Sequence, residues 1–165
     1  MRLFLDNDTD VIMDFDYEDI AKDVINEALK QLECPFDVEV NLLLTDNESI
    51  REYNRDNRGI DSPTDVLSFP GLEFVNPGEF TLSGSEADYT DPETGLIMLG
   101  DIIISLDRVI SQAEECGHSR LREYAFLIAH SMLHLSGFDH MTEDEAADME
   151  RRQEDILKSL NITRD

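Results

Sequence analysis

The segment HSMLHLSGFDH, residues 130–140, constrains this chain more than any other. His130 and His134 stand four apart, and on a helix that spacing puts both rings on one face, about one turn from each other. The residues around them (Ala125, Phe126, Leu127, Ile128 and Leu133) are apolar, so the helix runs in or beside a core. Gly137 can take a positive φ, which ends the helix and turns the chain. The turn lets His140 swing back toward the first two rings. Three imidazoles gathered on one point are the ligand set of a catalytic zinc site, with one ion per chain. No fourth protein ligand is evident. An open position for water is therefore expected, where zinc lowers the pKa of that water to about 7. Three imidazoles also accept nickel, cobalt or iron, so the metal is not fixed uniquely.

The same spacing occurs in the zinc motif of metzincin peptidases, H-E-x-x-H-x-x-G-x-x-H, with one difference. Ser131 stands where those peptidases carry the glutamate that activates water. A serine hydroxyl is not basic enough to replace it, which argues against a peptidase.

The chain around this segment has 165 residues, the length of one domain. Its 13 Lys and Arg against 38 Asp and Glu leave a net charge of −25. Such a protein does not coat nucleic acid or anionic lipid by bulk attraction. A polyanion has to be engaged through a local basic cluster or a metal ion. Arg51, Arg55 and Arg58 form one basic group, and Arg120, Arg122, Arg151 and Arg152 occur later. The plain reading of most of these is solvated helix faces paired with nearby acids. Cys34 and Cys116 cannot build a disulfide framework or a thiolate zinc site, and the default for either is a buried thiol. The N-terminus has no signal-peptide pattern, and the uncharged stretch Tyr124–Phe138 is too short to span a membrane. A reducing, intracellular compartment fits best.

Periodicity and capping signals predict a short strand at Leu3–Leu5 and a helix over 17–32, with Ile20, Val24, Leu29 and Leu32 on its apolar face. A strand from about Phe36 to Leu44 follows, then a helix over 47–56 capped by Asp46. Val66–Phe69 reads as a strand closed by Pro70-Gly71. Residues 71–95 hold six acids and no Lys or Arg, and read as an exposed acidic loop. Leu96–Ile104 reads as a buried strand kinked at Gly100-Asp101. Helices follow over 107–116, from Ser119 to Ser136, and over 143–160 behind a Thr142/Glu145 capping box. On the last helix Ala146, Met149, Ile156, Leu157 and Leu160 share a face. The resulting fold class is α+β, one domain over 1–165 with a mixed sheet of about four strands covered by helices.

HSMLHLSGFDH resembles the signature of the YbeY family of bacterial metallo-endoribonucleases, roughly H-G-x-L-H-L-x-G-x-D-H. Asn54, Arg58, Asp61 and PTDVLSFP at 63–70 resemble a second block of that family. LGDIIIS at 99–105 resembles a third, and Glu115, Gly117-His118-Ser119 and Glu123 a fourth. The resemblance implies a zinc-bearing helix at the centre of the domain, with His130, His134 and His140 as ligands of one Zn2+. It implies cytoplasmic cleavage of single-stranded RNA rather than DNA, maturation of the 3′ end of 16S ribosomal RNA, ribosome quality control, and contact with the small ribosomal subunit. The family's functional arginine falls on Arg58. The alternative for Arg58 is a structural salt bridge to Asp61 or Asp65. Asp139, beside the last ligand, is either a general base or a partner that orients a histidine N–H, the second being favoured. His118 reads as structural. Ser131 departs from the family's usual glycine, Asn57 from its aromatic and Ile60 from its lysine. Two other readings compete: a zinc peptidase, and a non-catalytic ribosome-assembly factor stiffened by zinc.

Overall fold

The computed structural model describes residues 1–82 and 84–163; Ser83, inside the expected acidic loop, and Arg164 and Asp165 lie outside the described residues. Strand β1 (Arg2–Asn7) leads through helix α1 (Tyr17–Gln31) to β2 (Val38–Thr45). Helix α2 (Asn47–Arg58) and β3 (Val66–Pro70) follow. A long connection with a 3-10 turn at Glu86–Tyr89 reaches β4 (Ile97–Ser105). Three helices close the chain: α3 (Leu106–Cys116), α4 (Arg120–Leu135) and α5 (Glu143–Ser159). The sheet order is β1-β2-β4-β3; β1, β2 and β4 run parallel, and β3 pairs antiparallel with β4 at the edge. This is a single α+β domain with one mixed sheet, and α4 lies against α1, α3, α5, β3 and β4.

Side-chain alternation explains how the sheet makes its core. On β2, Val38, Val40, Leu42 and Leu44 point into the main core. On β4 the inward residues are Ile97 and Leu99, then Ile102 and Ile104. The change from odd to even numbers requires one extra residue, and the β2–β4 register slips between Glu39 and Val40. The expected kink at Gly100 is thus a bulge that keeps both halves of β4 facing the same core. Gly100 has φ +151°, and a Cβ there would meet the Phe69 carbonyl oxygen at 2.5 Å and Leu135 Cδ2 at 2.7 Å. Only glycine lets β4 pass so close to β3 and to the end of α4.

Helix α4 is buried nearly all round, including Arg122, Glu123 and Ser131. Its neighbours accommodate this. The buried face of α1 is Ala21, Val24, Ile25 and Ala28; Ile20, Leu29 and Leu32 are half-buried at its margins. Ala21 and Ala28 put small side chains in that buried face. On α5 the buried face begins at Met149, and Ala146 is exposed. Arg122 ties α4 to the C-terminal end through Glu154 (2.6 Å) and the Ile162 carbonyl (3.2 Å).

The segment 71–95 is acidic but not a free loop. Leu72 is buried, and Phe74, Phe80, Leu82 and Tyr89 pack on the main core. Phe80 stacks edge-on with both Phe36 and Phe74. Cys116 is exposed and Cys34 half-buried, so neither is fully buried. No helix among the described residues is long and apolar enough to cross a membrane.

Candidate metal centre

The end of α4 builds the centre. The Phe138 N–H donates to the Leu133 carbonyl (2.9 Å) and the Gly137 N–H to the His134 carbonyl (3.1 Å), which is the Schellman way of closing a helix. Gly137 takes φ +92° at the turn. Phe138 then packs against Leu133 and Met149, and the chain returns past α4. The return brings His140 to His130 and His134: one ring nitrogen of each lies within 4.8 Å of the other two. The Nε2 atoms of His130 and His134 are 3.0 Å apart.

The remaining ring nitrogens are held from behind. His134 Nδ1 lies 2.9 Å from the Phe138 carbonyl oxygen. His130 Nδ1 lies 3.1 Å from the side-chain amide of Gln153 on α5, which is itself buried. Burial pushes the His130 pKa down to about 4, reinforced by His134 and His140 and partly opposed by the Asp65 carboxylate. Burial also lowers the pKa of His134, partly opposed by its bond to Phe138. Both rings are neutral near pH 7 and carry the lone pairs a metal needs. Neutral imidazoles that converge with their outer nitrogens anchored fit a divalent metal well.

The three histidines share a cleft of about 800 Å³ with Arg58, Thr64, Asp65, Ser68, Asp139 and Met141. A depression of about 940 Å³ near Ile12, His118 and Ile162 is larger, but no group of converging ligands lines it among the described residues. Arg58 is the only Lys or Arg lining the histidine cleft among the described residues. It ends α2, where Gly59 turns the chain with φ 71°. Asp61 pairs with Arg51 (2.8 Å) and not with Arg58. Asp65 accepts from the Val66 N–H and from Gln112. Neither structural salt bridge open to Arg58 is made, and its side chain has no partner among the described residues.

Asp139 does not hold an imidazole. Its Oδ1 accepts from the backbone N–H of His140 at 2.8 Å, and it lies exposed at the rim. The ring-holding places expected for it belong to the Phe138 carbonyl and Gln153. Gln153 was not singled out by its sequence context, although a glutamine at the spacing of Met149 and Ile156 is a polar residue on an apolar face. His118 bonds Glu123 (2.7 Å), and Glu123 accepts from Gln112, which reaches on to Asp65. His118 is therefore structural, at the far end of a polar chain that ends on the cleft wall. Ser131 is buried and bonds Ser68 on β3 (2.8 Å), fastening the ligand helix to the sheet.

The sequence profile of a family described as Endoribonuclease YbeY matches residues 4–161. A protein of that name from Agathobacter rectalis is 53% identical over 165 residues, covering 99% of this chain and 100% of its own length. Another, from Lachnoclostridium phytofermentans, is 50% identical with the same coverage. A third, from Lachnospira eligens, is 47% identical, also with the same coverage. The solution structure of a Thermotoga maritima protein superposes with a TM-score of 0.57 at 20% identity, over 96% of this chain and 91% of that chain, a likeness of fold alone. Matched from end to end by these relatives, and with the family's histidine signature folded into one cluster, the chain belongs to the YbeY endoribonuclease family.

Proposed function

We propose that this protein is a zinc-dependent endoribonuclease that cuts single-stranded RNA in the cytoplasm and matures the 3′ end of 16S ribosomal RNA. The observation that carries the reading is the convergence of His130, His134 and His140 in a cleft shared with the unpaired Arg58. Its relatives' name, Endoribonuclease YbeY, supports RNA as the substrate. Contact with the small ribosomal subunit belongs to the same proposal.

His130, His134 and His140 hold the metal, which when bound supplies Lewis acidity toward phosphoryl oxygen and acidifies water. Arg58 supplies the second cationic group. Its planar fork matches two phosphate oxygens, and among the described residues it carries no carboxylate to be displaced first. As charge builds on the phosphoryl oxygens, Arg58, carried into the cleft by the last turn of α2, stabilises it. Asp139 is a positioning residue: it fixes the backbone of His140, and through it the third ring. The Ser68–Ser131 bond and the Phe138 carbonyl keep the ligand helix and the His134 ring in register.

A peptidase reading lacks its base, because the residue in that position is Ser131, buried and bonded to Ser68. The test is a labelled single-stranded RNA incubated with the protein, with and without a chelator. Cleavage that stops with the chelator and returns with zinc is expected. Chelator-resistant cleavage contradicts the metal requirement. An intact RNA in the presence of zinc-loaded protein favours the non-catalytic assembly factor.

A further inference from the structure

We propose that Asp65, held in place by Gln112, is a specificity-determining residue that accepts a hydrogen bond from a ribose 2′-hydroxyl of the substrate. The inference rests on the endoribonuclease reading and names the group by which RNA is told from DNA. Asp65 lines the histidine cleft immediately before β3. Three residues on, Ser68 bonds Ser131, the neighbour of His130 on α4, so the strand sets Asp65 on the same wall as the metal centre. Its carboxylate is held at both oxygens. Oδ1 accepts from the Val66 N–H at 2.8 Å and Oδ2 from the Gln112 amino group at 3.3 Å. That amino group also donates to Glu123 Oε1 at 2.7 Å, and Glu123 is buried and bonded on to His118. The anchor of Gln112 therefore lies inside the fold. A carboxylate has about four acceptor sites, and Gln112 is the one donor to Oδ2 among the described residues. That oxygen can take a further donor.

Charge decides which part of a nucleic acid meets it. Asp65 and Asp139 are the two acids lining the cleft among the described residues, and Asp139 is exposed and bonded to the backbone of His140. A carboxylate repels a phosphodiester and gains only from a donor. Phosphate oxygens only accept. The donors of a single strand are its base N–H groups and, in RNA, the 2′-hydroxyl. The hydroxyl belongs to the same repeating unit as the phosphates. A strand with a phosphate at Arg58 and the metal centre therefore carries a ribose past the wall beside them. Carboxylates read ribose hydroxyls in the same way in dinucleotide sites. DNA offers Asp65 no proton from its sugar and leaves the carboxylate facing phosphates without compensation.

The test is binding of fluorescent single strands to the zinc-loaded protein, read before cleavage becomes measurable. The strands share one sequence: all 2′-fluoro, and 2′-fluoro with a single ribose walked along it. Fluorine sits where the hydroxyl sits and cannot donate. For the wild type, one ribose position is expected to tighten binding roughly 10- to 100-fold over the all-fluoro strand, the range for a hydrogen bond to a charged acceptor. In Asp65→Ala no position is expected to do so, while zinc affinity stays at the wild-type value. Gln112→Met tests the same claim with the carboxylate still present: it keeps the length of the side chain but releases Oδ2, and the gain is expected to shrink. A wild type that gains at no position overturns the proposal, as does an undiminished gain in either variant. Loss of zinc from a folded Asp65→Ala also overturns it, because that makes Asp65 a metal ligand. In parallel, the all-ribose RNA is incubated with the zinc-loaded wild type. Failure to cut it overturns the endoribonuclease reading, and this inference with it.

Discussion

Among the described residues, Arg58 differs from Arg51 and Arg55 in having no carboxylate to hold it. Arg51 is taken by Asp61 and Arg55 by Asp56, whereas Arg58 faces the histidine cleft alone. Replacing an exposed, unpaired side chain leaves folding almost unchanged. Arg58→Ala is therefore expected to melt like the wild type and to bind metal normally. Its kcat for RNA cleavage should fall on the order of 10²- to 10³-fold, the usual cost of removing a charge-stabilising group from a reaction centre. Parallel melting curves, metal titrations and single-turnover kinetics check this, and unimpaired cleavage removes Arg58 from the mechanism. At this scale the sequence is legible where a residue's chemistry is specific. Three histidines at this spacing have few other uses. The role of Asp139 is not legible, since a carboxylate beside a ligand can hold a ring or a backbone, and turn geometry decides. Gln153 lies 13 residues after the last ligand. Nothing local links it to His130; the packing of α5 on α4 makes that connection.

At the scale of elements, the turn after α4 is where folding and function meet. A Cβ on Gly137 would lie 2.6 Å from Phe74 Cβ, and the backbone there is left-handed. The Gly78 N–H also donates to the Ser136 carbonyl at 2.9 Å. The 71–82 stretch thus clamps the bend that carries His140. Gly137→Ala adds left-handed strain and a clash together, and is expected to destabilise the fold by roughly 1–3 kcal/mol. Because the bend aims His140, metal affinity should fall in the same variant. A melting temperature and zinc affinity equal to wild type would show that the clamp does not set the bend. Helix ends were readable because capping is local chemistry: Asp46, Ser119 and Thr142 each accept from a backbone N–H three residues on. The anchoring of 71–95 was not readable. Leu72, Phe74, Phe80 and Leu82 follow neither the period of a strand nor that of a helix, so their burial depends on the surface they meet.

For the whole molecule, the net charge of −25 sets the field through which an RNA must approach. Ordinary RNA-binding proteins lose affinity steeply with salt because cations on the protein release counterions. Here one arginine lines the cleft among the described residues, and the long-range field is repulsive. Monovalent salt screens that repulsion over a distance of about 10 Å at 0.1 M. The expected result is kcat/KM for a single-stranded RNA that holds steady or rises from low salt to about 0.1 M. A steep fall would reveal a basic grip that the cleft does not display. The α+β class was legible from the mixture of segments. The sheet order and the odd-to-even shift on β4 were not, because they depend on pairings between residues about 30 to 60 positions apart, such as Pro70 with Gly100 and Val40 with Gly100. The three-histidine cluster is the feature on which the proposed metal-dependent cleavage rests. Its most direct check is metal content after gentle purification, wild type beside His130→Ala, with folding confirmed in each. The wild type is expected to carry near one zinc per chain and the variant almost none; equal metal in both, or none in either, contradicts the centre described here.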